Sequence, residues 1–154
     1  MNITEELTEE ACSHGAETID YPFNSDRIKG LYYDGVIAVS DKLRGSEKAA
    51  IIAEELGHHL TAAGNILDQS VPANRKQELR GRIWAYNRLI GLTGILRAYK
   101  MGCRNRYEVA ECLDVPEDTL QEALNYYHAR YGVYTQVDNY VIYFEPALGV
   151  MELL

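Results

Sequence analysis

The segment Glu54-Glu55-Leu56-Gly57-His58 has the spacing of a metal-dependent hydrolase site. Residues four positions apart share one face of a helix, so the Glu54 carboxylate and the His58 imidazole can bind the same ion. In the HExxH signature of zinc peptidases both ligands are histidines, and the acid after the first ligand is the base toward a metal-activated water. We therefore predict that Glu54 and His58 are metal ligands and that Glu55 is the catalytic base.

Two neighbouring residues refine this assignment. Pairing Glu55 with His59 also gives a four-residue spacing, but the residue that follows Glu55 is Leu56, which cannot act as a base. His59 is therefore better interpreted as a structural histidine, with a metal contact left open. Gly57 lies inside an otherwise strong helix, where glycine costs up to ~1 kcal/mol relative to alanine. Its presence predicts close approach by another segment.

A catalytic zinc takes three protein ligands and keeps one position open. Glu78 is the candidate for the third ligand, because it falls in line with apolar positions of the next predicted helix, namely Ala85, Leu89, Leu92 and Leu96. An ordinary ion pair with Arg82, four residues on, is the alternative for this carboxylate. Asp68 and Asn65 are weaker candidates. Zn²⁺ is the expected ion, although carboxylate ligands also suit other divalent ions.

The elements around the motif predict an α+β fold. A helix is expected from about residue 5 to 16, followed by a β-hairpin whose strands flank Asp34-Gly35, a pair that tolerates the positive φ of a tight turn. The motif helix is expected from about Ser46 to Ala63, where Gly64-Asn65 ends it. One long helix is then expected from about residue 74 to 101.

The last third of the chain predicts more helix and then strands. Residues 107–113 and 119–131 form two short helices around Asp114-Val115-Pro116, and residues 133–137 and 140–144 form strands around Asp138-Asn139. At 154 residues the chain suits a single domain, with residues 102–132 as a possible helical subregion.

The formal net charge of −8 argues against a direct nucleic-acid partner, because binding phosphates requires a clustered basic surface. No apolar run approaches the ~20 residues that span a bilayer, and the amino-terminal residues are acidic, so no membrane association is expected and a cytoplasmic protein is predicted. The cysteines, Cys12, Cys103 and Cys112, lack the spacing of a disulfide framework or a thiolate zinc site.

With these residues in view, the chain resembles the ImmA/IrrE family of metallo-endopeptidases, particularly the short members encoded by phages and mobile elements. Residues 28–35 resemble the family hairpin and residues 52–59 its motif helix. Residues 75–80 with Trp84-Ala85-Tyr86 resemble the following helix, and Tyr143-Phe144-Glu145-Pro146 the closing strand.

This resemblance implies a zincin-like metallopeptidase fold with a small β-sheet, a motif helix and carboxyl-terminal helices. It also implies a zinc-dependent endopeptidase that cleaves a helix-turn-helix repressor of a prophage or mobile element. His58 matches the second histidine ligand and Glu55 the catalytic glutamate. Glu54 stands where the family often has its first histidine, and Glu78 corresponds to an acidic third ligand on the following helix.

Two alternatives remain open. The chain can keep the fold without efficient catalysis and inactivate a repressor by stoichiometric contact. Residues 107–120 also resemble a helix-turn-helix, which would indicate a DNA-binding regulator. The second helix of that pair begins beside Glu117 and Asp118, whose charge would repel phosphates, so the DNA-binding interpretation is disfavoured.

Overall fold

The computed structural model describes residues 1–61 and 72–154, with no account of the side chains of residues 72–74. The fold is α+β, as predicted. The described chain divides into two compact units, Met1–Ala85 and Tyr86–Leu154. The expectation of a single domain stays a prediction.

The first unit opens with a helix that is capped at its first residues. Helix α1 spans Ile3–Ser13, and the Asn2 side chain accepts a hydrogen bond from the Glu5 backbone N–H while the Glu5 carboxylate accepts one from the Asn2 backbone N–H. This reciprocal capping box satisfies backbone donors that the first turn would otherwise leave unpaired. Leu7 and Ala11 are fully buried on α1, which packs against the motif helix.

A three-stranded sheet lies beside these helices. Strand β1 (Glu17–Tyr21) pairs in parallel with β3 (Val36–Ser40), and β2 (Gly30–Tyr33) pairs with β3 in antiparallel register, so the order is β1-β3-β2. The predicted hairpin is confirmed, with φ of 48° at Asp34 and 80° at Gly35. Strand β1 was not predicted from the sequence.

The motif helix α2 spans Gly45–Thr61 in the described chain and contacts both β2 and β3. The end predicted near Ala63 lies outside the described residues. Ile37 and Val39 of β3 are fully buried, as are Ile52 and Leu56 of α2. These side chains form the core between the sheet and the motif helix.

The single long helix predicted for residues 74–101 is wrong. The chain forms α3 (Pro72–Leu89) and α4 (Gly91–Lys100) instead. The break lies at Ile90, whose φ and ψ of −124° and −81° are not helical, and at Gly91, whose φ is +64°. A positive φ is accessible to glycine at little cost and ends the α3 hydrogen-bond pattern.

The second unit combines the remaining helices with an antiparallel sheet. Helices α5 (Arg106–Leu113) and α6 (Glu117–Tyr131) match the two predicted short helices. Strands β4 (Tyr134–Val137) and β5 (Tyr140–Tyr143) form the predicted hairpin, and β6 (Gly149–Glu152), which was not predicted, pairs with β5. The core of this second unit is apolar and is built from side chains that include Ile95, Val109, Leu120, Tyr127 and Ile142.

Candidate metal centre

Helix α2 carries Glu54 and His58 one turn apart, as their spacing predicts. Apolar spacing predicts a core face of α2 made of Ala49, Ile52, Ala53, Leu56, Leu60 and Ala63, with Glu54 and His58 on the opposite side, outside the main core. Ala49, Ile52, Ala53 and Leu56 are buried, Leu60 is half-buried, and Ala63 lies outside the described residues. The opposite side is also covered, since the His58 side chain is only 5% exposed and that of Glu54 29% exposed. The motif therefore lies inside the first unit, and it was expected on a face outside the main core.

Two glycines let α3 approach the motif. A Cβ on Gly57 would lie 2.2 Å from the Gly81 carbonyl oxygen, and a Cβ on Gly81 would lie 2.1 Å from His58 Cδ2. Neither distance is possible for real side chains, so the two backbones meet only because both residues are glycine. The close approach predicted from Gly57 is confirmed. Gly81 was missed, although it is also a glycine within a helical pattern.

This crossing brings Glu78 of α3 to the motif. Ligand atoms of Glu54, His58 and Glu78 all lie within 4.8 Å of one another, and His58 Nε2 lies 3.0 Å from Glu78 Oε2. The three residues assigned as metal ligands from the sequence are thus brought together. The weaker candidates Asn65 and Asp68 lie outside the described residues.

Arg82 also contacts this cluster. Its Nε lies 3.4 Å from Glu54 Oε1 and 3.6 Å from Glu78 Oε1, and the side chain is half-exposed. The ion pair with Arg82, which is the alternative considered for Glu78, is therefore present as well. The guanidinium supplies positive charge on the outer side of the two carboxylates, whereas His58 contacts Glu78 from the buried side.

Glu55 is placed differently from the three candidate ligands, Glu54, His58 and Glu78. It is 7% exposed, and its Oε2 lies 3.1 Å from His58 Nδ1. On the other side it faces β2, because a Cβ on Gly30 would lie 3.3 Å from Glu55 Cγ. Such a carboxylate fixes the orientation of the imidazole and directs Nε2 toward the cluster. The sequence did not reveal this contact.

The charges in the cluster depend on one another. Burial lowers the pKa of His58, but the hydrogen bonds and charges of Glu55 and Glu78 outweigh it and raise the pKa to about 10. The contact with His58 lowers the pKa of Glu78. Burial, followed by repulsion from Glu55, raises the pKa of Glu54. The excess of carboxylates over cations in this site favours a bound dication.

The donor set fits a divalent metal ion. His58 Nε2 is buried and, among the described residues, has no hydrogen-bond partner of normal geometry, even though Glu78 Oε2 lies 3.0 Å away. In a tetrahedral site with bonds of about 2.0–2.1 Å, ligand atoms lie roughly 3.3 Å apart. The one imidazole and two carboxylates offer ligand atoms that all lie within 4.8 Å of one another, which is close to this spacing.

His59 is engaged elsewhere. Its Nε2 lies 2.7 Å from the His14 carbonyl oxygen and must carry the proton of that hydrogen bond. Nδ1 then accepts from the Tyr32 hydroxyl at 2.6 Å, and the Tyr32 oxygen accepts from the Gly35 N–H at 3.1 Å. Nε2 thus joins α2 to the carboxyl end of α1, and Nδ1 joins α2 to the hairpin through Tyr32. Both nitrogens are used, which supports the structural interpretation of His59 and leaves neither nitrogen for a metal contact.

Comparison with known proteins does not identify the chain. A scan against protein-family models finds no match, and a search of curated proteins finds none either. Within the described residues, no helix combines the length and apolar character needed to cross a membrane.

Proposed function

We propose that this chain is a metal-dependent endopeptidase with a zincin-like arrangement around α2, and that it cleaves a helix-turn-helix repressor of a prophage or mobile element. The observation that carries the proposal is the convergence of Glu54, His58 and Glu78 ligand atoms within 4.8 Å. The resemblance of residues 28–35 and 52–59 to the ImmA/IrrE hairpin and motif helix supplies the substrate class.

In this proposal each residue of the site has a distinct role. Glu54, His58 and Glu78 would hold the ion, which supplies Lewis acidity and an activated water when bound. Glu55 orients His58 through Nδ1 and accepts a proton on its carboxylate. The Glu55 side chain is buried against strand β2.

Strand β2 offers a place for an extended substrate. It is an edge strand of its sheet, so one side of its backbone has no strand partner among the described residues. An extended peptide can pair with such an edge and be held straight by main-chain hydrogen bonds. Because Gly30 of β2 abuts Glu55, a peptide on this edge would pass close to the proposed base.

The first test is metal content. Elemental analysis of protein purified without added metal should find close to one divalent ion per chain, and His58→Ala should lose it. An exposed histidine, His14, provides the control, since His14→Ala should keep the ion. Occupancy that is unchanged in His58→Ala would contradict the assignment of the ligands.

The second test is substrate cleavage. Co-expression with a repressor encoded near this gene, followed by mass measurement, should give two fragments from one cut, and unrelated proteins should stay intact. The net charge of −8 favours encounter with a basic DNA-binding protein, so cleavage should slow as salt rises. A repressor that is neither cut nor bound would contradict the proposed substrate.

A second function is supported by the ion network itself. A protonated His58 between Glu55 and Glu78, with Arg82 outside, offsets two of the three carboxylate charges without a metal ion. A chain in that state could inactivate a repressor by binding alone. Metal-free protein that holds an intact repressor in a stable complex would favour this function over peptidase activity.

A further inference from the structure

The second unit contains a cavity of about 490 Å³. Its walls are the start of α5, one face of α6 and residues 144–148, which lie between β5 and β6. The volume is within the range of small-molecule sites, roughly 300–1,000 Å³. None of the proposed metal ligands lines it.

The lining divides into an apolar part and a polar part. Leu124, Phe144 and Leu148 supply apolar surface, and three amide side chains, those of Asn105, Gln121 and Asn125, supply hydrogen-bonding groups. The basic lining residues are Arg104 and Arg106 and the acidic one is Glu145, which lies beside His128. In a protein of net charge −8, this is a local excess of positive charge.

Arg106 is held in place by neutral groups. Its Nη1 donates to Gln121 Oε1, its Nη2 donates to the Tyr107 hydroxyl at 3.1 Å, and its guanidinium lies 5.0 Å from the centre of the Tyr107 ring. Its Nε is buried and has no hydrogen-bond partner among the described residues. A buried donor without an acceptor is costly, so the Arg106 guanidinium has hydrogen-bonding capacity that its neighbours leave unused.

Arg104 is the second arginine of the cavity lining. Arg104 Nη1 donates to the backbone carbonyls of Tyr99 and Cys103 at 3.0 and 3.1 Å. In the described chain, no carboxylate forms an ion pair with Arg104 or Arg106, and the one lining acid, Glu145, lies 3.2 Å from His128 Nε2. The two guanidiniums therefore retain charge that a ligand can use.

We propose that this cavity binds a small organic anion, a carboxylate or a phosphate monoester carried on an apolar body. Arg106 and Arg104 contact the anionic oxygens, the amide groups of α6 orient them, and Leu124 with Phe144 packs against the apolar body. Neither a bound metal ion nor peptidase activity is needed for this binding.

The test is calorimetric titration of the full chain with benzoate and with phenyl phosphate, using benzyl alcohol as the neutral analogue. Both anions should bind saturably and benzyl alcohol should not. Loss of one charge-assisted hydrogen bond corresponds to roughly a tenfold to hundredfold weakening. Arg106→Gln and Arg104→Gln should each show it, whereas Arg130→Gln, an exposed arginine of α6 that does not line the cavity, should bind like the wild type. Preference for one anion identifies the carboxylate or the phosphate as the ligand group.

Several results would overturn the proposal. They are equal binding of benzyl alcohol, an equal effect of Arg130→Gln, and no saturable binding at millimolar probe. Because Arg106 joins α5 to α6, thermal unfolding of each variant is measured without probe. If Arg106→Gln does not fold, the binding of Arg104→Gln and Asn125→Ala decides the outcome. Amide chemical shifts measured on addition of the probe should change at the cavity lining and not at Gly81.

Discussion

His58 is the residue on which both the metal-free and the metal-bound state of the site depend. Without metal it is cationic near neutral pH, because Glu55 and Glu78 raise its pKa to about 10 despite burial. With metal, Nε2 must be neutral, whereas the Nδ1–H can keep its contact with Glu55. A bound dication would thus take the place of the proton on His58 Nε2.

The two roles proposed for Glu55 can be separated by two substitutions. In Glu55→Gln the amide oxygen still accepts from His58 Nδ1–H, so the metal should stay, but the base is lost and turnover should fall about 10²- to 10⁴-fold. In Glu55→Ala the imidazole loses its orienting partner, and metal affinity should fall roughly 10- to 100-fold.

Turnover on the repressor and metal affinity by chelator competition measure the two effects. Wild-type turnover in Glu55→Gln would leave Glu55 as a positioning residue only. Loss of metal in a folded Glu55→Gln protein would make Glu55 a ligand, and the assignment of Glu54 would then be wrong.

At the scale of elements, the site exists because α2 and α3 cross at Gly57 and Gly81. Gly57→Ala and Gly81→Ala place a methyl group within 2.2 Å of existing atoms, so the helices must separate. Overpacking of this kind typically costs about 1–3 kcal/mol. Both variants should therefore lower the urea midpoint and also reduce bound metal, because Glu78 moves away from His58.

Gly94 of α4 is the matched control. Its added Cβ would meet Leu113 at 3.7 Å, an ordinary contact, and alanine is favoured over glycine in a helix by up to ~1 kcal/mol. Gly94→Ala should be neutral or stabilising and should keep the metal. A Gly57→Ala protein as stable and as metal-loaded as Gly94→Ala would contradict the close crossing.

The sequence predicted those parts of the site that depend on local spacing. The four-residue separation of Glu54 and His58 fixes their shared face, and Asp34-Gly35 fixes the hairpin. Glu78 was assigned from an apolar row that continues only to Leu89, since Leu92 and Leu96 belong to α4. Glu78, the residue assigned from that row, does lie beside Glu54 and His58, although the predicted helix was too long.

What the sequence did not predict depends on contacts between distant segments. The parallel pairing of β1 with β3 joins residues about 20 positions apart, and a five-residue strand with mixed exposure has no strong periodicity. The α3–α4 break depends on the φ of Gly91, which apolar spacing does not report. The Glu55–His58 contact depends on rotamers that α3 and β2 enforce.

At the scale of the whole molecule, the two compact units carry different chemistry. The first contains the Glu54–His58–Glu78 cluster and the edge strand β2, and the second contains the cavity lined by Arg104 and Arg106. The helix pair α5–α6 in the second unit has acidic residues in the first turn of α6, Glu117 and Asp118. That charge is unfavourable beside DNA phosphates.

The stability of the folded chain should show an alkaline limit that can be traced to one side chain. Tyr127 is 1% exposed, and its hydroxyl donates to Asn87 Oδ1 at 2.9 Å. Burial raises its pKa, with a smaller opposing effect from the Gly91 backbone. The folded state therefore keeps this proton at a pH where the unfolded state, with a tyrosine pKa near 10, has begun to lose it.

The sign follows from proton linkage. Above about pH 10 the unfolded chain binds fewer protons than the folded chain, so the free energy of unfolding falls by up to ~1.4 kcal/mol per pH unit from this group. Tyr127→Phe should be less stable than wild type by about 1 kcal/mol at pH 8, through the lost hydrogen bond. At pH 11 that deficit should shrink or reverse. Urea unfolding at both pH values measures it, with Tyr134→Phe, 63% exposed, as the control that should show no such change. A deficit of equal size at pH 8 and pH 11 would mean that Tyr127 ionises as readily in the folded state as in the unfolded state.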